Sequence, residues 1–120
     1  MYELTIRGDF AAAHFLRGYQ GPCQKLHGHT WKLDVTVQAE ELNALGLVVD
    51  FKELKSRLQN ILKPLDHVCL NDLPAFQSNN PSSENLAKYV YEEFSRQVTG
   101  IRVKSVRVWE SDSASVSYSA

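Results

Sequence analysis

Two long stretches of apolar–polar alternation leave this chain few folding options. From Tyr2 to His14 the even positions are Tyr2, Leu4, Ile6, Phe10, Ala12 and His14, whereas Glu3, Thr5, Arg7 and Asp9 take the odd ones. From His27 the odd positions carry His27, His29, Trp31, Leu33, Val35, Val37 and Ala39, against Thr30, Lys32, Asp34, Thr36 and Gln38. A period of two marks a strand with one buried face, so the chain opens on two half-buried strands. Gly18, Gly21 and Pro22 make the stretch between them a loop, with Cys23 near its end.

The period then changes to that of helices. Asp50-Phe51-Lys52-Glu53 has an acidic N-cap with a glutamate three residues on, and Phe51, Leu54, Leu58, Ile61, Leu62 and Leu65 recur at helical spacing. Pro64 is expected to end or distort that helix around Leu65. Asn80-Pro81-Ser82-Ser83-Glu84 signals a second start, followed by Leu86, Ala87, Val90, Tyr91, Phe94 and Val98, with Gly100 closing the helix. Alternation returns at Val106, Val108 and Glu110, then at Ala114, Val116 and Tyr118. The order ββααββ predicts an α+β fold, an antiparallel sheet with two helices on one face.

Composition narrows the class of function. With 13 Lys+Arg against 14 Asp+Glu, the net charge of -1 supplies no broad positive field for nucleic acid or acidic membrane. No apolar run approaches the roughly 20 residues that span a bilayer, and the first seven residues alternate like a strand instead of forming a leader. A cytoplasmic protein with one domain over residues 1–120 is expected, and its cysteines, Cys23 and Cys69, are expected to be reduced.

The chain has four histidines, and three fall on apolar strand faces. His27 and His29 share a face across Gly28, and His14 ends the apolar parity of the preceding strand. If the strands pair, three imidazoles converge and leave a fourth position open, the arrangement of a catalytic zinc site; otherwise His-Gly-His is a strand entry with two partly exposed rings. Cys23, four residues before His27, fits a general base or nucleophile, a fourth metal ligand, or a small buried residue. Cys69, among apolar neighbours, reads as core. Asp66-His67 fits a proton-transfer pair or a helix-end cap, although sequence neighbours usually point apart. Glu110 shares the face of Val106 and Val108, where a carboxylate needs a bidentate planar partner or a buried arginine.

Taken in order, Cys23-Gln24-Lys25-Leu26-His27-Gly28-His29, Val48-Val49-Asp50-Phe51-Lys52-Glu53-Leu54-Lys55, Leu65-Asp66-His67, Asn80-Pro81-Ser82-Ser83-Glu84-Asn85 and Val108-Trp109-Glu110 resemble the 6-pyruvoyl-tetrahydropterin synthase superfamily across nearly the whole chain. The cysteine spacing before His-Gly-His is similar to that of the bacterial 6-carboxytetrahydropterin synthases of queuosine biosynthesis. A folate-pathway subgroup that cleaves dihydroneopterin carries a glutamate in this loop, where this chain has Gln24 and Lys25.

The resemblance implies the tunnelling fold, with ββααββ subunits joined into a barrel and stacked as two trimers, a homohexamer with active sites between subunits. It implies Zn2+ on His14, His27 and His29, Cys23 as general base, Asp66 and His67 as the supporting pair, and Glu110 as pterin anchor with Ser82 and Ser83 beside it. Ser82 stands where many relatives have threonine and keeps the hydroxyl. The implied substrate is 7,8-dihydroneopterin triphosphate, with Lys25 and Arg17 as candidate cations for its phosphates. The implied products are 6-carboxy-5,6,7,8-tetrahydropterin, acetaldehyde and triphosphate. A pyruvoyl-forming lyase and a zinc- or pterin-binding protein without turnover are the alternatives.

Overall fold

The structure, a computed structural model, describes residues 1–21 and 24–120. Strands β1 (Tyr2–His14) and β2 (His27–Ala39) pair antiparallel along their whole length, from Tyr2 opposite Ala39 to His14 opposite His27. Helices α1 (Phe51–Leu62) and α2 (Ser83–Gln97) follow, and β3 (Arg102–Ser111) and β4 (Ala114–Tyr118) complete a sheet in the order β1-β2-β3-β4. The expected ββααββ order is observed. Among the described residues no helix is long and apolar enough to cross a membrane.

The alternating faces do what their parity requires. Ile6, Phe10, Trp31, Leu33, Val35, Val37, Val106 and Val108 are buried under the helices against Leu54, Leu58, Leu62, Leu86, Val90 and Phe94. Burying one such side chain stabilises the fold by roughly 1.5–3 kcal/mol, so this layer rigidly fixes the ends of β1 and β2. α1 lies on β1, while α2 covers β3 and β4. A Cβ on Gly8 would stand 2.8 Å from Leu62 Cδ1 and 2.9 Å from Leu58 Cδ2, so glycine permits the close approach of α1. On the helix-free face, Arg7 clasps Asp34 at 2.7 and 3.0 Å, and Trp109 Nε1 donates to the same carboxylate at 3.1 Å.

The helix boundaries match their signals with three local differences. Asp50 caps α1 by accepting from Lys52 N at 2.8 Å, but Glu53 reaches Arg57 at 3.5 Å instead of turning back to complete a capping box. Phe51, placed on the apolar face by its spacing, is 53% exposed because the first turn of α1 precedes the packed stretch. α2 ends at Gln97, so Val98 is extended and Gly100, at φ 75, serves the turn into β3. Pro64 acts as expected: α1 stops at Leu62 and continues as a 3-10 turn over Lys63–Leu65.

The outer edge of β1 near His14 is covered by chain from between the helices. Ala11 N donates to Asp66 Oδ1 at 2.9 Å, His67 N donates to Ala11 O, and Ala13 N donates to Val68 O at 3.0 Å. Beyond the strand, Asn71 accepts from Phe15 N and donates to Phe15 O, both at 3.0 Å. Asn80 repeats this on Arg17, at 2.9 and 3.0 Å. Backbone groups that no strand satisfies thus find side-chain amides.

Candidate active site

The pairing of β1 with β2 brings three histidines together at one end of the sheet. His14 lies opposite His27, and His29 lies opposite Ala12. The ring centroids are 4.6 Å apart for His14 and His27, 5.2 Å for His14 and His29, and 4.8 Å for His27 and His29. One donor atom from each lies within 4.8 Å of the others. His14 is buried, and the other two are half-buried. Trp31 forms the floor, its ring edge-on to His14 at 4.9 Å and to His29 at 5.1 Å.

Hydrogen bonding fixes which nitrogens face inward. His14 Nδ1 donates to Pro81 O and His27 Nδ1 donates to Lys25 O, both at 2.7 Å. Carbonyl oxygens only accept, so each Nδ1 carries the hydrogen and each Nε2 presents a lone pair. Those two Nε2 atoms stand 3.0 Å apart, a repulsive arrangement unless a positive charge lies between them. His29 Nε2 is buried without a hydrogen-bond partner, its nearest acid being Glu110 Oε1 at 3.5 Å. Burial lowers the pKa of His14, with the neighbouring imidazoles acting in the same direction and the Pro81 carbonyl against it. The ring is therefore held neutral, the form that binds a metal. Two imidazoles with oriented outer nitrogens and a third with an unpartnered buried Nε2 fit a divalent cation such as zinc, and these residues could hold one.

Glu110 joins this cluster to the start of α2. Ser83 Oγ donates to Glu110 Oε2 at 2.9 Å, so one carboxylate oxygen is fixed by the helix while the other faces His29. The bond length is that of an ordinary hydroxyl hydrogen bond. No arginine pairs with this carboxylate among the described residues, so of the two partners the sequence left open, the buried arginine is not observed. Ser82 is the N-cap of α2, its Oγ accepting from Asn85 N at 3.1 Å.

Asp66 and His67 do not point apart. His67 takes a left-handed backbone, φ 59, which turns its ring back so that Nδ1 lies 2.9 Å from Asp66 Oδ2. The Ala11 N–H, followed by the His67 side chain, holds the Asp66 carboxyl below its ordinary range. Among the described residues His67 Nε2 has no hydrogen-bond partner, on a side chain that is 81% exposed. The pair is not joined to the histidine cluster by any hydrogen bond. Both border an open groove of about 570 Å³, lined by His29, Thr30, His67, Val68 and Cys69 among others.

Other sequence expectations fare unevenly. Cys23 lies outside the described residues. Cys69 is half-buried on the groove instead of in the core, because its bridge to Ala13 puts it on the sheet edge. Lys25 contributes its carbonyl to His27, and its side chain is exposed. Arg17 donates to Phe76 O at 2.8 Å and Asn71 O at 3.3 Å, so its guanidinium is engaged in structure. Sequence reasoning missed the Pro81 and Lys25 carbonyls, which no residue type betrays, and Trp31 as floor, which its parity with His27 and His29 could have disclosed.

Comparison with known proteins bears on this geometry. The family described as 6-pyruvoyl tetrahydropterin synthase matches residues 3–120. A protein of Pyrococcus furiosus named dihydroneopterin monophosphate aldolase is 33% identical over 109 residues, 90% of this chain and 89% of its own. A protein of Synechocystis sp. named 6-carboxy-5,6,7,8-tetrahydropterin synthase is 35% identical over 124 residues, covering 98% of this chain and 93% of its own. The structure of Caenorhabditis elegans 6-pyruvoyl tetrahydropterin synthase superposes with a TM-score of 0.90 at 24% identity, over 99% of this chain and 95% of that one, which shows a shared fold.

Proposed function

This chain belongs to the 6-pyruvoyl tetrahydropterin synthase family, and from that membership we propose that it is a zinc-dependent carbon-carbon lyase of queuosine biosynthesis. It converts 7,8-dihydroneopterin triphosphate and water into 6-carboxy-5,6,7,8-tetrahydropterin, acetaldehyde and triphosphate. It works in the cytoplasm as a homohexamer of one-domain subunits, two stacked trimers with active sites between subunits. The observation that carries this reading is the contact of Glu110 with His29: a carboxylate suited to a pterin's amidine edge stands 3.5 Å from an imidazole of the three-histidine cluster.

The roles follow from the chemistry of each group. His14, His27 and His29 would hold the zinc, which when bound would supply Lewis acidity toward the substrate's side-chain oxygens and lower the pKa of the adjacent C–H bonds. Cys23 removes that proton as general base. His67 gives its Nδ1 hydrogen to Asp66 and so keeps Nε2 free to accept and return protons. Asp66, ionised and held by Ala11 N, keeps the ring in that tautomer. Glu110 receives the ring N–H groups, with Ser83 steadying its second oxygen and Ser82 at the helix start beside it. Lys25 meets the triphosphate from the loop. The His67 ring is exposed and makes its described side-chain contact with Asp66 alone, which supports sites composed across subunits.

A second reading is favoured by the Pyrococcus furiosus relative: aldol cleavage of a dihydroneopterin phosphate. Gln24 and Lys25, where the cleaving subgroup has a glutamate, speak against it. Mass spectrometry of products from zinc-loaded protein decides the matter. With 7,8-dihydroneopterin triphosphate, the carboxy product plus acetaldehyde is expected. A pyruvoyl product would move the protein to the sister lyase reaction, and cleavage of the monophosphate alone would favour the aldolase. Unreacted substrates with tightly held zinc would mean a binding protein.

A further inference from the structure

The buried histidine is tied to helix α2 by hydrogen bonds in series. Asn85 Nδ2 donates to Asn80 O at 2.8 Å, and the next carbonyl along the chain, Pro81 O, accepts from His14 Nδ1 at 2.7 Å. The Asn80 side chain meanwhile clamps Arg17, accepting from its N at 2.9 Å and donating to its O at 3.0 Å. On the far side of Pro81, Ser82 is fixed as the N-cap. Pro81 has no N–H of its own to anchor it, so the direction of its carbonyl depends on what holds the residues on either side.

We propose that Asn85, acting with Asn80 through the Pro81 carbonyl, is a positioning residue that sets the tautomer and ring orientation of His14. The consequence for metal binding rests on reading the three histidines as a metal centre. If the Asn80–Pro81 segment turns, the buried Nδ1–H of His14 loses its acceptor, which is costly. The ring then does better with its hydrogen on Nε2, donating across 3.0 Å to His27 Nε2. That bond satisfies the pair internally and removes one lone pair from the cluster. Asn85 therefore keeps the two donors unbonded to each other and open to a cation. Ser82 and Pro81 alone do not secure this, because the N-cap bonds are made by groups C-terminal to the carbonyl.

The test uses Asn85→Leu, nearly isosteric and a better helix former, and Asn85→Asp, which lacks the donor but carries an acid favourable in a first helical turn. Val90→Ala, a cavity in the buried face of the same helix, serves as the control for instability alone. Nitrogen-15 NMR of histidine-labelled, metal-free protein reads the His14 tautomer. Chelator competition with zinc, followed by tryptophan emission from the ring beside His14, reads affinity. Both Asn85 variants are expected to gain an Nε2–H population at His14 and to bind zinc about tenfold more weakly, whereas Val90→Ala lowers Tm and leaves both unchanged. Folded Asn85 variants with the wild-type tautomer would overturn the proposal. An altered tautomer with no zinc binding by the wild type would instead overturn the metal-centre reading and the affinity effect with it.

Discussion

The histidine cluster and the Asp66–His67 pair are built in opposite ways. His14 is 2% exposed, its ring is packed on Trp31 and the other imidazoles, and its outer nitrogen is spent on a buried carbonyl. The His67 side chain is 81% exposed, and among the described residues its one side-chain partner is the preceding residue. Burial with oriented donors suits a group that must hold a charge and stay still. An oriented but unwalled imidazole suits a group whose surroundings come from elsewhere. The first assembly brings its three donor atoms together within one chain; the second is oriented by its neighbour but stands exposed at the rim of an open groove. That contrast is what the proposal of a working site between subunits rests on.

The largest effects should fall on the buried cluster. His27→Ala or His29→Ala is expected to lose zinc and turnover together. If about 10 kcal/mol of binding is shared by three ligands, losing one costs several hundredfold in affinity, readable as metal content after dialysis. Retention of stoichiometric zinc by both variants would break the comparison at its first term. Cys23→Ala and His67→Ala should instead keep zinc and Tm while turnover falls by about 10²–10⁴. Mixing the two inactive proteins under conditions of subunit exchange then sharpens the comparison: random pairing restores roughly a quarter of the sites, whereas sites complete within one chain recover nothing.

Asp66→Asn should act more mildly and only through the tautomer. The carboxylate accepts twice, from Ala11 N and from His67 Nδ1. An asparagine accepts with one oxygen and turns an amide hydrogen toward the other partner, which favours the His67 tautomer with hydrogen on Nε2. A fall in kcat without a change in zinc content or Tm is expected. An unchanged kcat would remove the pair from the chemistry.

The alternation of β1 and β2 makes both strands, their buried faces and the meeting of His14 with His27 legible from residue order alone. Capping and breaker residues do the same for the helix starts and for the end of α1 at Pro64. What is not legible depends on groups without a residue-type signal. The carbonyls of Pro81 and Lys25 orient two imidazoles. A left-handed φ at His67 reverses the rule that neighbours diverge. Cys69 reads as core because apolar residues flank it, yet the sheet edge it bridges is open on one side. Val98 keeps the helical spacing although the helix has already ended at Gln97.

The smallest expected effect is also the most direct separation of the two regions, because each should leave its own window in the stability of the metal-free protein. His14 has a pKa lowered from 6.5 by burial, so below that value the unfolded chain takes up a proton that the folded chain resists. Its contribution is complete above about pH 6.5 and is lost as pH falls toward the depressed folded value. Asp66, lowered from 3.8 by the Ala11 N–H and by His67, contributes above that value and loses its share only as pH falls further. Being exposed, it contributes little. Asp34, lowered chiefly by Arg7, acts in the same lower window. Urea titrations between pH 8 and 3 should therefore show a first decline below pH 6.5 that His14→Gln abolishes and Asp66→Asn leaves intact. A first decline that survives His14→Gln would mean that the buried imidazole is not the group resisting protonation, and the contrast between the two regions would lose its electrostatic half.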